Sequence, residues 1–321
     1  MIGLLASLCL FFKGLIPGDT ALAQDRVTFT QGPGRADNTA LMECQGYRSR
    51  PSAIGTVSAE DGSQWTVPGP VHFSTALFAD DLYNDCSGKR YRGPEDIDLS
   101  AIPVRTHAGG EETFTAYVFA DNYFEFYVNG KRLAVDPVPF TPFNSNVIRF
   151  TASRPFTVAA MLVDWEESLG VGTEQGWGAS HHPGDGGFVA VIKDANGDTV
   201  AITDAGWRVQ TYYIAPLQSR NCLKVNGGMR DSRGCSSPDR ENAQLLYAAH
   251  WRVPENWAAK TFDDSTWPQA TTFSNNTVGV DNKRAYTNFS AIFDDRRNDA
   301  KFIWSPNLVL DNLVLARRTI R

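Results

Sequence analysis

The chain has 321 residues, 42% of them hydrophobic and 12% aromatic, with a formal net charge of −6. That is enough apolar material for one large sandwich or two smaller units. The mildly acidic balance and the lack of a basic block argue against nucleic acid or an anionic membrane surface as partner.

The opening stretch "MIGLLASLCLFFKGLIPGDTALAQ" reads as a secretory leader over residues 1–23. An apolar run from Ile2 to Phe12 precedes the small-residue site Ala21-Leu22-Ala23, although Lys13 interrupts it and no basic residue leads it. The run falls short of the ~20 apolar residues that span a bilayer. The mature chain is therefore expected to be exported (secreted, periplasmic or at the cell surface) without membrane insertion. Of five cysteines, Cys9 leaves with the leader and Cys44, Cys86, Cys222 and Cys235 remain. An even number in an exported chain predicts two disulfides, and four cysteines allow three connectivities. Proximity across the Gly-rich "NCLKVNGGMRDSRGC" favours Cys222–Cys235, which leaves Cys44–Cys86. Zinc is disfavoured, because no C-x-x-C pair or histidine cluster has ligand spacing.

No segment keeps a 3.6-residue apolar period, and short runs of Val, Ile, Phe, Tyr and Thr recur between Gly, Pro, Asn and Asp. This texture predicts an all-β fold. Residues 24–108 are turn-rich and read as a small β-rich N-terminal region of uncertain independence. From 109 the pattern firms, and residues 109–321 read as one β-sandwich. In "TFTAYVFA", Phe114, Ala116, Val118 and Ala120 share a face by period-2 alternation, and in "YFEFYVNG" Phe124, Phe126 and Val128 do so. Asn129-Gly130 predicts a type I′ hairpin turn. "FTVAAMLVDW" is apolar on both faces and predicts a central strand. "GGFVAVIKDANGDTVAITD" predicts a hairpin turning at Asn196-Gly197, and "FIWSPNLVLDNLVLARRTI" one or two closing strands.

In this order, "ADNYFEFYVNGKRL", "AITDAGWRVQ", "TFDDSTWPQAT" and "FIWS" resemble galactose-binding-like jelly-roll domains. These are the lectin-like, carbohydrate-binding accessory sandwiches attached to β-galactosidases and α-rhamnosidases. The resemblance covers residues 109–321 and departs from the family at "EESLGVGTEQGWGASHHPGDGG" and at the cysteine loop. It implies a jelly roll that sits beside catalysis, with Trp207 and Trp267 covering the ends of the core. It also implies that Asp263, Asp264 and Ser265 form a self-bonding turn, and it allows a structural calcium without naming its ligands.

Catalytic signatures are few: the sequence lacks G-x-S-x-G and H-E-x-x-H. "DANGD" begins like an EF-hand loop, but Thr199 stands where Gly is needed and Ala205 where Glu is needed, so the hairpin explains it better. His181-His182 could share an ion only in a loop conformation. A sugar site needs a flat aromatic beside a few placed polar groups. The inserted loop supplies that chemistry with Trp165, Glu166, Trp177, His181, His182 and Asp185, and Asp121 and Asn122 stand at a neighbouring strand end. The leading expectation is a non-catalytic module that binds carbohydrate or cell-surface polysaccharide through loops. The alternatives are a structural surface protein that contacts other surface proteins, and a polysaccharide-active glycosidase or lyase. Asn275 and Asn288 lie in N-glycosylation sequons.

Overall fold

The structure is a computed structural model that describes residues 26–39, 41–44, 46, 52–140, 142–175, 181–226, 228–236 and 242–321. Residues 1–23, expected to form a leader, and Trp177 lie outside the described residues. The fold is all-β and sandwich-like. Among the described residues the α-helices are single turns, at Asn275–Val278, Arg284–Thr287 and Ser290–Phe293.

One large antiparallel sheet has seven strands. Their spatial order is Thr28–Gln31, Tyr247–His250, Arg208–Leu217, Asp311–Ile320, Phe156–Val163, Tyr123–Val128 and Lys131–Val135. The other runs Thr271–Phe273, Phe302–Trp304, Gly187–Asp194, Glu112–Asp121, Ser145–Ala152, Asp80–Asn84 and Lys89–Arg90. Thr199–Ile202 and Val104–Arg105 are side branches of the second sheet. From residue 112 onward the chain repeatedly crosses from one sheet to the other. Strands from before residue 109 join both sheets, since Thr28 pairs with His250 and Asp80 with Val147.

The alternation read in the sequence is what divides the core. Phe114, Ala116, Val118 and Ala120 meet Phe124, Phe126 and Val128 between the sheets, with Phe150, Phe156, Trp207 and Trp304. The Phe114–Phe156 and Phe114–Phe150 ring centroids are 4.7 and 5.6 Å apart, within the range where aromatic pairs add to area burial. Phe156–Val163 is central, paired with strands on both sides. Asn129 and Gly130 take φ of 50° and 82°, as a type I′ turn requires. The 187–202 hairpin turns through Gly197, and Asp194 Oδ1 accepts the amides of Asn196 and Asp198. The closing segment forms two strands, one in each sheet.

Both outer faces are covered. Tyr123, Tyr127, Met161, Val163 and Leu315 of the seven-stranded sheet pack under residues 53–73 and 251–267. Glu125, on this face and wholly buried, accepts hydrogen bonds from Tyr123 Oη at 3.0 Å and Tyr127 Oη at 2.5 Å, and from His72 N. On the far face Tyr117, Phe119 and Val189 pack under Val278, Tyr286, Phe289 and Phe293. Trp267 belongs to the outer cluster over the seven-stranded sheet, against Phe262 and Tyr212, while Trp207 lies between the sheets. The implied end-covering role therefore does not describe Trp267. Disulfides join Cys44 to Cys86 and Cys222 to Cys235, which fits an oxidising compartment.

Candidate functional site: a groove beside Trp65

The residues nominated in the sequence divide into two groups. Asp121, Asn122, Trp165 and Glu166 come together in the interior, each no more than 5% exposed. Asn122 Oδ1 accepts the Trp165 amide at 2.7 Å, and its Nδ2 donates to Asp121 Oδ1 at 2.9 Å. Trp165 donates Nε1 to the Ala53 carbonyl and packs edge-on against Tyr123 and Phe73, so no ring face is open to a ligand. Glu166 accepts the amides of Gly170, at 2.9 Å, and Gly172, and the Tyr213 hydroxyl at 3.0 Å. Burial pushes its pKa up to about 7 despite these donors.

His181 and His182 form a two-residue strand paired with Glu174 and Gln175. Asp185 is half-buried, and desolvation raises its pKa. Asp164, which the sequence reading passed over, is buried close to Gly184. Its pKa is raised well above the usual carboxylate range, first by burial and then by the charges of Glu174, Asp121, Asp185 and Glu166. Gly184 lets the chain pass here, for a Cβ there would fall 2.9 Å from Asp164 Oδ1 and 3.2 Å from Glu174 Oε1. Among the described residues no group of three or more His, Cys, Asp or Glu side chains is arranged to hold a metal ion.

An accessible site lies elsewhere, over the outer face of the seven-stranded sheet. A concavity of about 700 Å3 runs between residues 64–70 and residues 250–256. Tyr212, Tyr213 and Trp251 contribute to its floor, and Trp65 stands half-exposed at its wall. Trp65 is held flat: its ring stacks on His250 at 5.2 Å and 22°, and His250 stacks on Tyr213 at 4.9 Å and 20°. Burial depresses the His250 pKa to about 3, so the stacked imidazole is neutral; Thr30 Oγ1 lies 2.8 Å from its Nε2. Gln64, Arg252, Glu255 and Asn256 are exposed polar groups lining the same concavity. Arg252 makes no ion pair or hydrogen bond among the described residues.

A smaller concavity of about 270 Å3 shares Tyr212 and Arg252 with the first and extends the groove toward Asp263 and Trp267. Arg230 lies at 4.3 and 4.6 Å from the ring centroids of Tyr212 and Trp251 and fixes both. The Asp263–Trp267 turn does bond itself, because Asp263 Oδ1 accepts the Ser265 amide at 2.9 Å.

Sequence reasoning missed this groove. Trp65 lies in "GSQWTVPGP", which reads as turns, and Trp251 and Arg252 lie in "HWRVPENW", which carries no motif. The available signal was the density of aromatic and charged residues around Pro254, in a segment too interrupted to be a strand. No family model, curated protein or solved structure matches the chain.

Proposed function

We propose that the chain is an exported, non-catalytic binding module that recognises carbohydrate in the groove beside Trp65. The single observation that carries the reading is a half-exposed indole clamped flat on a neutral imidazole, beside exposed Arg252 and the amides of Gln64 and Asn256. A sugar ring stacks its C–H face on such an indole and offers its hydroxyl edge to amides, a guanidinium and a carboxylate. Two disulfides support export. The order of the four sequence segments, with strands that alternate between two sheets, supports a galactose-binding-like jelly roll as the scaffold.

A broad glycan array followed by calorimetry, with and without calcium, tests the reading. Arg252→Ala and Trp65→Ala are each expected to weaken binding at least tenfold, about 1.4 kcal/mol. Arg252 is exposed and makes no ion pair or hydrogen bond among the described residues, so its variant should melt like the wild type. Absence of binding to every glycan, in both calcium conditions, would sink the reading.

A further inference from the structure

A second recess, of about 730 Å3, opens where the end of the strand Asp311–Ile320 passes the side branch Thr199–Ile202. Arg208, Arg297, Arg317, Arg318 and Arg321 line it, with the side-chain carboxylates of Asp204 and Asp264. Five guanidinium groups thus converge on one concavity in a chain whose net charge is −6.

The five are not equivalent. Arg317 is structural: it is 2% exposed, its Nε donates to Asp264 Oδ2 at 2.7 Å, and its terminal nitrogens donate to the carbonyls of Trp257, Ala259 and Phe262. Its charge is paired with Asp264, so it frames the wall of the recess. Arg297 pairs with Asp295 at 2.8 Å at the rim. Arg208 commits Nη1 to the Trp267 carbonyl at 3.0 Å. Arg318 lies 3.6 Å from Asp204 Oδ1, with both side chains more than a third exposed, a contact too long and too solvated to hold the guanidinium firmly. Gly206 makes room for it, since a Cβ there would overlap Arg318 Nη1. Arg321 is exposed and forms no ion pair among the described residues. A guanidinium carries five N–H donors in a planar fork that matches a carboxylate or sulfate. Among the described residues Arg208, Arg318 and Arg321 therefore keep most of their donors free.

We propose that this recess is an oxyanion site, which takes a carboxylate or sulfate group through Arg318 and Arg321 with Arg208 behind them. The site is separate from the groove: Asp264 lines the recess, while Asp263, on the other side of the same turn, lines the groove. The shared chemistry has two sources, a free anion or a group borne on an acidic polysaccharide, and the test distinguishes them.

Full-length protein is titrated by calorimetry at constant ionic strength with sodium sulfate, dextran sulfate, polygalacturonate and neutral dextran. Wild type, Arg318→Gln, Arg321→Gln and Trp65→Ala are compared. The proposal expects saturable binding of at least one anionic probe, weakened about tenfold in each arginine variant, unchanged in Trp65→Ala, and weakened by added salt. Sulfate bound as tightly as the polymers assigns the site to the free anion, and tighter polymer binding assigns it to the polysaccharide. Equal affinity in wild type and both arginine variants would overturn the proposal, as would loss of anion binding in Trp65→Ala alone. Arg321→Gln, at an exposed position, keeps the test open should Arg318→Gln fail to fold.

Discussion

Glu166→Gln is expected to flatten part of the pH dependence of stability. Desolvation raises the folded pKa of Glu166 from 4.5 to about 7, and its four hydrogen-bond donors only partly offset it. Between those values the folded protein retains a proton that the unfolded chain has released. The stability this contributes is fully present below pH 4.5 and is lost as pH rises through 7. At 1.36 kcal/mol per pH unit the interval amounts to about 3 kcal/mol. An unfolding entropy of about 2.1 cal/mol/K per residue converts this, for a chain of this length, to roughly 5 °C. The assay is a series of thermal melts by circular dichroism from pH 4.5 to 8 on both proteins. Asp311, raised to about 6 by burial, adds a slope of the same sign to both, so the difference between the curves is the observable. Glutamine cannot ionise, and its amide nitrogen must face one of the Gly170 and Gly172 amides, so the variant starts lower. It should then gain about 5 °C on the wild type across the range. Parallel curves would refute the reasoning, because Glu166 would then carry the same charge folded and unfolded.

Three further outcomes are expected. Gly110→Ala should cost about 2–4 kcal/mol by urea denaturation, because Gly110 has φ of +82° and a Cβ there would overlap the Ala152 carbonyl carbon and Ser153 N. Paired serine replacement of Cys222 and Cys235, 13 residues apart, should cost about 3 kcal/mol in the same assay, and that of Cys44 and Cys86, 42 apart, about 4. Protein secreted from a glycosylating host should carry no glycan at Asn275 or Asn288 by intact mass. The Nδ2 atoms that would be modified donate to Asp294 Oδ1 at 3.1 Å and to the Tyr91 carbonyl at 2.9 Å.

The sandwich strands were legible because their signal is local. Period-2 alternation in residues 112–128 sorts Phe114 and Phe126 from Tyr117 and Tyr127, and apolar residues on both faces announce that both faces are covered. The first hundred residues were not legible in this way. Arg35–Asn38 is exposed along its whole length, Lys89–Arg90 is two residues long, and Thr28–Gln31 finds its partner more than two hundred residues away. The site failed to read for a related reason. Trp165 and Glu166 precede a glycine-rich run and look like ligand chemistry, yet the glycine amides turn back to satisfy the Glu166 carboxylate and draw both residues inward. Trp65 and His250 form one stacked pair across most of the chain, and no spacing rule connects them.

The early strands that close the two sheets also set where the gene can be cut. A polypeptide begun at residue 109 would leave Tyr247–His250 and Ser145–Ala152 each with a raw margin of amides and carbonyls, and would strip the cover from Tyr123, Tyr127 and Trp165. Such margins recruit other copies of the same strand. That fragment should precipitate when expressed alone, whereas one that begins just ahead of Thr28 should stay dispersed.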